Sequence, residues 1–131
     1  MGKNIVDITL YKPKALMNIS GKPVAEALHT LSISPSETIV IHDYLDHRPM
    51  SVSPKSGGSA GGHNGIRSII AALGNNMDFY RLRIGIGRDD TDPADYVLSP
   101  LSTAELEFWG PDGQGIDLVW KEVTKICAGL R

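Results

Sequence analysis

The stretch GGSAGGHNGIRSIIAAL, residues 57–73, decides how this chain is read. Five glycines fall within residues 57–65, and a His-Asn pair sits among them. Ile66, Ile69, Ile70 and Leu73 then recur at helical spacing, so a helix is expected to open as the glycines end. Strands flank this unit. ETIVIHD, residues 37–43, is a short run rich in β-branched residues and reads as a buried strand ending at Asp43. FYRLRIGIG, residues 79–87, alternates, with Tyr80, Leu82, Ile84 and Ile86 on one face and Arg81 and Arg83 on an exposed one.

Further out, Ile5 to Leu10 alternate like a half-buried strand. Ser20 or Gly21 opens a helix with Pro23 in its first turn, where a missing N–H costs little, and Val24, Ala27, Leu28 and Leu31 share one face. Ile116, Val119, Trp120, Val123 and Ile126 mark a last helix. Strands interleaved with helices predict an α/β layer fold, and 131 residues without repeat or linker make one domain, 1–131.

No apolar run approaches the roughly 20 residues that span a bilayer, and the opening MGKNIVDITLYKPK lacks the apolar centre of a signal peptide. Cys127 is the only cysteine, which excludes a disulfide within the chain and fits a reducing compartment. Its helical position reads as a buried thiol. The net charge of −2 conceals segregation. Arg48, Lys55, Arg67, Arg81, Arg83 and Arg88 face only Asp78 between residues 48 and 88, whereas residues 89–107 carry acids and no base. A basic segment around a glycine loop suits an anion such as phosphate; two solvated faces of opposite sign are the plainer reading.

Three chemistries compete for the glycine loop. A nucleotide loop needs Gly-Lys-Ser/Thr or G-x-G-x-x-G, and neither is present. GGSAG, residues 57–61, matches G-x-S-x-G with Ser59 as nucleophile, but that motif wants a histidine later in the chain, and only His63, in the same loop, follows. The third is a helix N-terminus that receives phosphate or developing negative charge. Its free N–H groups point outward, glycine lets a ligand approach, and Asn64 and His63 supply side-chain donors. Lys55 and Arg83 stand ready to hold further phosphates. A His63–Asn64 pair that merely ties down the loop is the structural alternative.

Four segments in this order, KPKALMNISGKPV, IVIHDYLDHRP, KSGGSAGGHNGIRSIIAALG and FYRLRIGIGR, resemble the bacterial-type peptidyl-tRNA hydrolase family from about Lys12 to Leu98. The resemblance implies a single α/β domain with a twisted mixed sheet flanked by helices. It implies hydrolysis of the ester joining a stalled peptide to the 3′ ribose of tRNA, without metal or cofactor. It assigns Asp43 to holding and polarising the catalytic histidine and Asn64 to positioning the attacking water. It assigns substrate contacts to Met17, Asn18, Gly61 and His63, and tRNA phosphate to Lys55 and Arg83. The closing EFWGPDGQGIDLVWKEV is similar to organellar members, so the compartment is read as cytoplasm or mitochondrial matrix.

The sequence also departs from the family. The family's leading strand and its Thr-Arg-His-Asn loop, which carries the general-base histidine, have no counterpart here. Tyr44 replaces the usual acid and Met50 the usual glycine. His42 neighbours Asp43, but alternation sends it to the opposite face. His29 belongs to a helix, which leaves His47 as the one spatially plausible stand-in. Loss of a general base costs typically about 10² to 10⁴ in rate. A missing leading strand also leaves a sheet edge that invites pairing with another copy. A fragment, a misplaced start and a natural short homologue all fit, and an inert tRNA- or RNA-binding homologue is the alternative function.

Overall fold

The computed structural model describes residues 5–129. A 3₁₀ turn, Met17–Ile19, leads into α1, Gly21–Leu31, and a second turn, Pro35–Glu37, leads into β1, Ile39–Tyr44. Then follow β2, Ser51–Ser56; α2, Asn64–Ala72; β3, Tyr80–Gly85; α3, Pro93–Val97; α4, Thr103–Trp109; and α5, Gly115–Gly129. The three strands form one mixed sheet in the order β1-β3-β2. β3 runs parallel to β1, with Asp43 opposite Ile84, and antiparallel to β2, with Lys55 opposite Arg81. A parallel pair needs a long crossover, and the glycine loop with α2 forms the last part of it.

The helix stripe read from the sequence builds the core. Ile66 and Ile69 are fully buried with Ala60 and Phe79, and Met17, Val24, Val40, Ile70 and Leu73 close around them. α1 crosses α2 at Gly21, where a Cβ would stand 2.1 Å from the Ser68 carbonyl oxygen. The Gly21 N–H donates to Ser68 Oγ at 3.0 Å, so the missing side chain is what lets the two backbones meet.

Residues 5–10 correct the first strand expectation. They form no strand, and Ile5 and Leu10 are 89% and 83% exposed. Alternation needs a ladder partner to become a strand, and no described ladder reaches this segment. It lies instead beside β1, over troughs lined by Leu28, Ile41, Ile116 and Trp120. Among the described residues β1 is therefore an edge strand, and the expectation of full burial for ETIVIHD fails at Ile41, which is 50% exposed.

The other sheet edge, β2, is not visible as a strand in SVSPKS because Pro54 argues against one. An edge tolerates proline because one side of the strand needs no donors. The short helices α3 and α4 use the acidic segment locally. Asp92 caps α3, and Ser102 with Glu105 forms a capping box on α4.

Candidate functional site

Asp43 ends β1, and His63 occupies the N-cap of α2, so the sheet and the glycine loop deliver them to one point. His63 Nε2 donates to Asp43 Oδ1 at 3.0 Å, and His63 Nδ1 accepts the Ile66 N–H at 3.0 Å. The N-cap bond uses a lone pair at Nδ1, and the carboxylate takes the N–H at Nε2. Both ring nitrogens are thereby committed. The bond from His63 holds the Asp43 carboxyl below the usual carboxylate range, against the opposing push of partial burial.

His42 belongs to the same cluster. Alternation was expected to send it to the opposite face from Asp43, yet its ring lies 4.7 Å from the same His63 ring that bonds Asp43. The reason is that α2 covers the His42 face: Val40, on that face, packs on the α2 core. His42 Nδ1 bonds to the Asp43 carbonyl oxygen at 2.8 Å, while its Nε2 is buried without a partner among the described residues. Burial pushes the His42 imidazole down to about 4.

The exposed face expected for Arg81 and Arg83 is corrected as well. Arg81 is 2% exposed, and its Nε and Nη1 are buried without hydrogen-bond partners among the described residues. Burial, reinforced by Arg83, pushes its guanidinium below the usual arginine range. Arg83 is half-buried and anchored to β2: Nη2 donates to Ser53 Oγ at 2.8 Å, and Nε to the Ser53 carbonyl at 3.4 Å. Its guanidinium lies over the Tyr44 ring, 5.3 Å from the centroid.

The remaining sequence-derived residues surround this point. Lys55 lies across the glycine loop: a Cβ on Gly58 would stand 2.7 Å from Lys55 Cε, and Gly58 has φ +90°. Met17 packs on the start of α2, where a Cβ on Gly65 would stand 2.7 Å from Met17 Cε. Asn18 follows Met17 in the exposed 3₁₀ turn, and Asn64, next to His63, is exposed at the first turn of α2. Gly61 is exposed, and Tyr44 Oη approaches it. His29 is exposed on α1, and His47 packs on Tyr44 with ring centroids 4.7 Å apart. Ser59 is exposed, and the His63 nitrogens it would need as a base are taken by Asp43 and Ile66. Cys127 is half-buried on α5.

The site as built offers an ionised carboxylate, an exposed amide, bare loop backbone and two flanking cations. Such a set can hold phosphate, orient water and donate to developing negative charge. Tyr44, Arg81 and Ser53 were not among the site residues read from the sequence. Only the unusual Tyr44 beside Asp43 carried a signal. Among the described residues, no group of three His, Cys, Asp or Glu side chains is placed to hold a metal, and no helix is long and apolar enough to cross a membrane.

The family model described as peptidyl-tRNA hydrolase matches residues 2–127. The peptidyl-tRNA hydrolase of Nocardia farcinica is 49% identical over 100 residues, covering 75% of this chain and 51% of that protein. That of Shewanella amazonensis is 46% identical over 103 residues, covering 77% and 53%. A crystal structure of the Arg119Gln mutant of peptidyl-tRNA hydrolase from Acinetobacter baumannii superposes with TM-score 0.69 at 30% identity, covering 87% of this chain and 55% of that one. The chain thus spans about half the length of the curated relatives it matches.

Proposed function

The chain belongs to the peptidyl-tRNA hydrolase family, and on that footing we propose that its site acts on the ester between a peptide and the 3′ ribose of tRNA. The observation that carries this reading is the Asp43–His63 bond at the N-terminus of α2, with Asn64 exposed beside it and bare glycine backbone in front. Asp43 and Asn64 orient a water. Met17, Asn18, Gly61 and His63 contact the peptide and the terminal nucleotide. Lys55 and Arg83 hold phosphate. The developing oxyanion meets amide donors, each worth typically about 10² to 10³ in rate. The tRNA substrate places the protein where translation runs, in the cytoplasm or the mitochondrial matrix.

We further propose that the reaction is slow where no other group supplies the base. Both His63 ring nitrogens are engaged, by Asp43 and by the Ile66 N–H, and His42 is buried, so neither ring beside Asp43 presents a free nitrogen to a water. Absence of a general base costs typically about 10² to 10⁴ in rate. The experiment is release of tRNA from an N-blocked aminoacyl-tRNA at high enzyme concentration. Turnover above the blank that disappears in Asp43→Asn supports the reading. Equal turnover in both proteins removes it.

The committed His63 ring also favours a second reading, a homologue that binds tRNA or RNA without cleaving it. Salt-dependent tRNA binding with no ester cleavage would establish that case. Self-association is proposed at the edge of β1. The Thr38 and Tyr44 carbonyls face β3, so Ile39 and Ile41, which alternate with them, present their main-chain groups outward. Sedimentation of the wild type as a dimer, and of an Ile41→Lys variant as a monomer, would establish this contact; a wild-type monomer would exclude it.

A further inference from the structure

We propose that Tyr44 positions the terminal nucleoside of the RNA, its hydroxyl donating to the ribose or ester over Gly61 while its ring forms part of the wall beside Asp43. This rests on the functional reading above and names a contact within that site. The side chain is half-buried at the end of β1, one residue after Asp43. Its ring is braced on separate elements. The Arg83 guanidinium from β3 lies 5.3 Å from the ring centroid, and the His47 ring from the following loop lies 4.7 Å away at an interplanar angle of 63°. Arg83 is itself fixed to Ser53 on β2, so the Tyr44 ring has little freedom.

The hydroxyl makes no hydrogen bond among the described residues, and the buried Arg81 guanidinium interacts with it electrostatically. It is aimed at the glycine loop, 3.9 Å from where a Cβ on Gly61 would stand. Gly61 has φ +58° and carries no side chain, so the oxygen faces open main chain on the way to His63 and Asn64. A phenol hydroxyl with a braced ring and no hydrogen-bond partner is ready for an acceptor supplied by a ligand. Tyr44 also lies between the two chemistries of the site. Asp43 is its chain neighbour on one side, and the phosphate-holding Arg83 lies against its ring on the other. A terminal ribose, which joins a phosphate to the acylated oxygen, spans that same interval.

The test uses the full chain and an acceptor-stem minihelix whose 3′ adenosine carries an amide-linked N-acetyl amino acid. A second minihelix lacks the terminal adenosine. Affinities are read by fluorescence anisotropy at several salt concentrations, for wild type and Tyr44→Phe, with the thermal midpoint of each protein as the folding control. Tyr44→Phe is expected to weaken binding of the acylated minihelix about fivefold, the size of one lost neutral hydrogen bond. It is expected to leave the shortened RNA and the salt slope unchanged, because no phosphate contact is lost. An equal loss on both RNAs, or no loss on either, overturns the assignment of Tyr44 while the functional reading stands. If wild type binds neither RNA, the functional reading itself falls, and this contact with it.

Discussion

Strand β1 has two sides that differ in how far they are finished. Toward β3 and α2 it meets a complete ladder and a close-packed core in which Ile66 and Ile69 are fully buried. Away from β3 it meets residues 5–10 without a ladder, and Ile41 and Trp120 remain about half exposed. The candidate site belongs to the finished side: Asp43, His63 and the glycine loop all lie where β1 meets α2. The positions of the site residues therefore depend on the α2 core far more than on the open edge.

Core truncation breaks that comparison most strongly. Ile66→Ala is expected to cost about 3 kcal/mol, the usual range for emptying a buried site of this size, whereas Ile41→Ala on the open edge costs less than about 1 kcal/mol. Urea denaturation of both variants checks the contrast. Equal losses would mean that the edge is covered in solution.

Acid sharpens it next. His42 titrates at about 4 in the fold against 6.5 for the free group, so the unfolded chain takes up its proton first. Stability present above pH 6.5 is lost progressively as pH falls toward 4. Asp43 is depressed, so its contribution is present above its unfolded value and is lost as pH falls through the lower, folded value. His42→Gln is expected to flatten the upper part of the stability–pH curve and leave the lower part, as read by denaturation midpoints from pH 7 to pH 4.

His63→Ala removes the N-cap of α2 and leaves Asp43 without its donor. The cap alone is worth about 1 kcal/mol. Gln in place of Ala, which keeps polar atoms near Asp43, should restore part of the loss in the same denaturation assay. The smallest effect is expected at the exposed Arg88–Asp46 pair, which links the loop after β3 to the loop after β1. Arg88→Ala changes stability by less than about 0.5 kcal/mol, and by less still in 1 M salt.

Much of the finished side was legible in the sequence, and little of the open side was. The stripe Ile66, Ile69, Ile70, Leu73 and the alternation of Tyr80–Ile86 are periodic over enough residues to identify a helix and a strand. The glycine–His–Asn run located the loop and the cap. Residues 5–10 show that alternation states a preference that only a neighbouring strand can fulfil. Pro54 hid β2, because whether proline is tolerated depends on which strand becomes the edge. The His42–His63 contact was invisible for a related reason: alternation gives the face of a residue but not which helix covers that face. The burial of Arg81 was missed likewise, since an arginine in an alternating strand reads as solvent-facing.

Chemical rescue tests the central claim most directly, because both ring nitrogens of His63 are engaged by Asp43 and the Ile66 N–H, and the His42 ring is buried. Release of tRNA from N-acetyl-aminoacyl-tRNA would be followed while neutral imidazole is raised, with Asp43→Asn as the blank. The structure predicts a rate that climbs with imidazole concentration in the wild type and stays at the blank in Asp43→Asn. A wild-type rate that ignores added imidazole, or the same climb in both proteins, would contradict it.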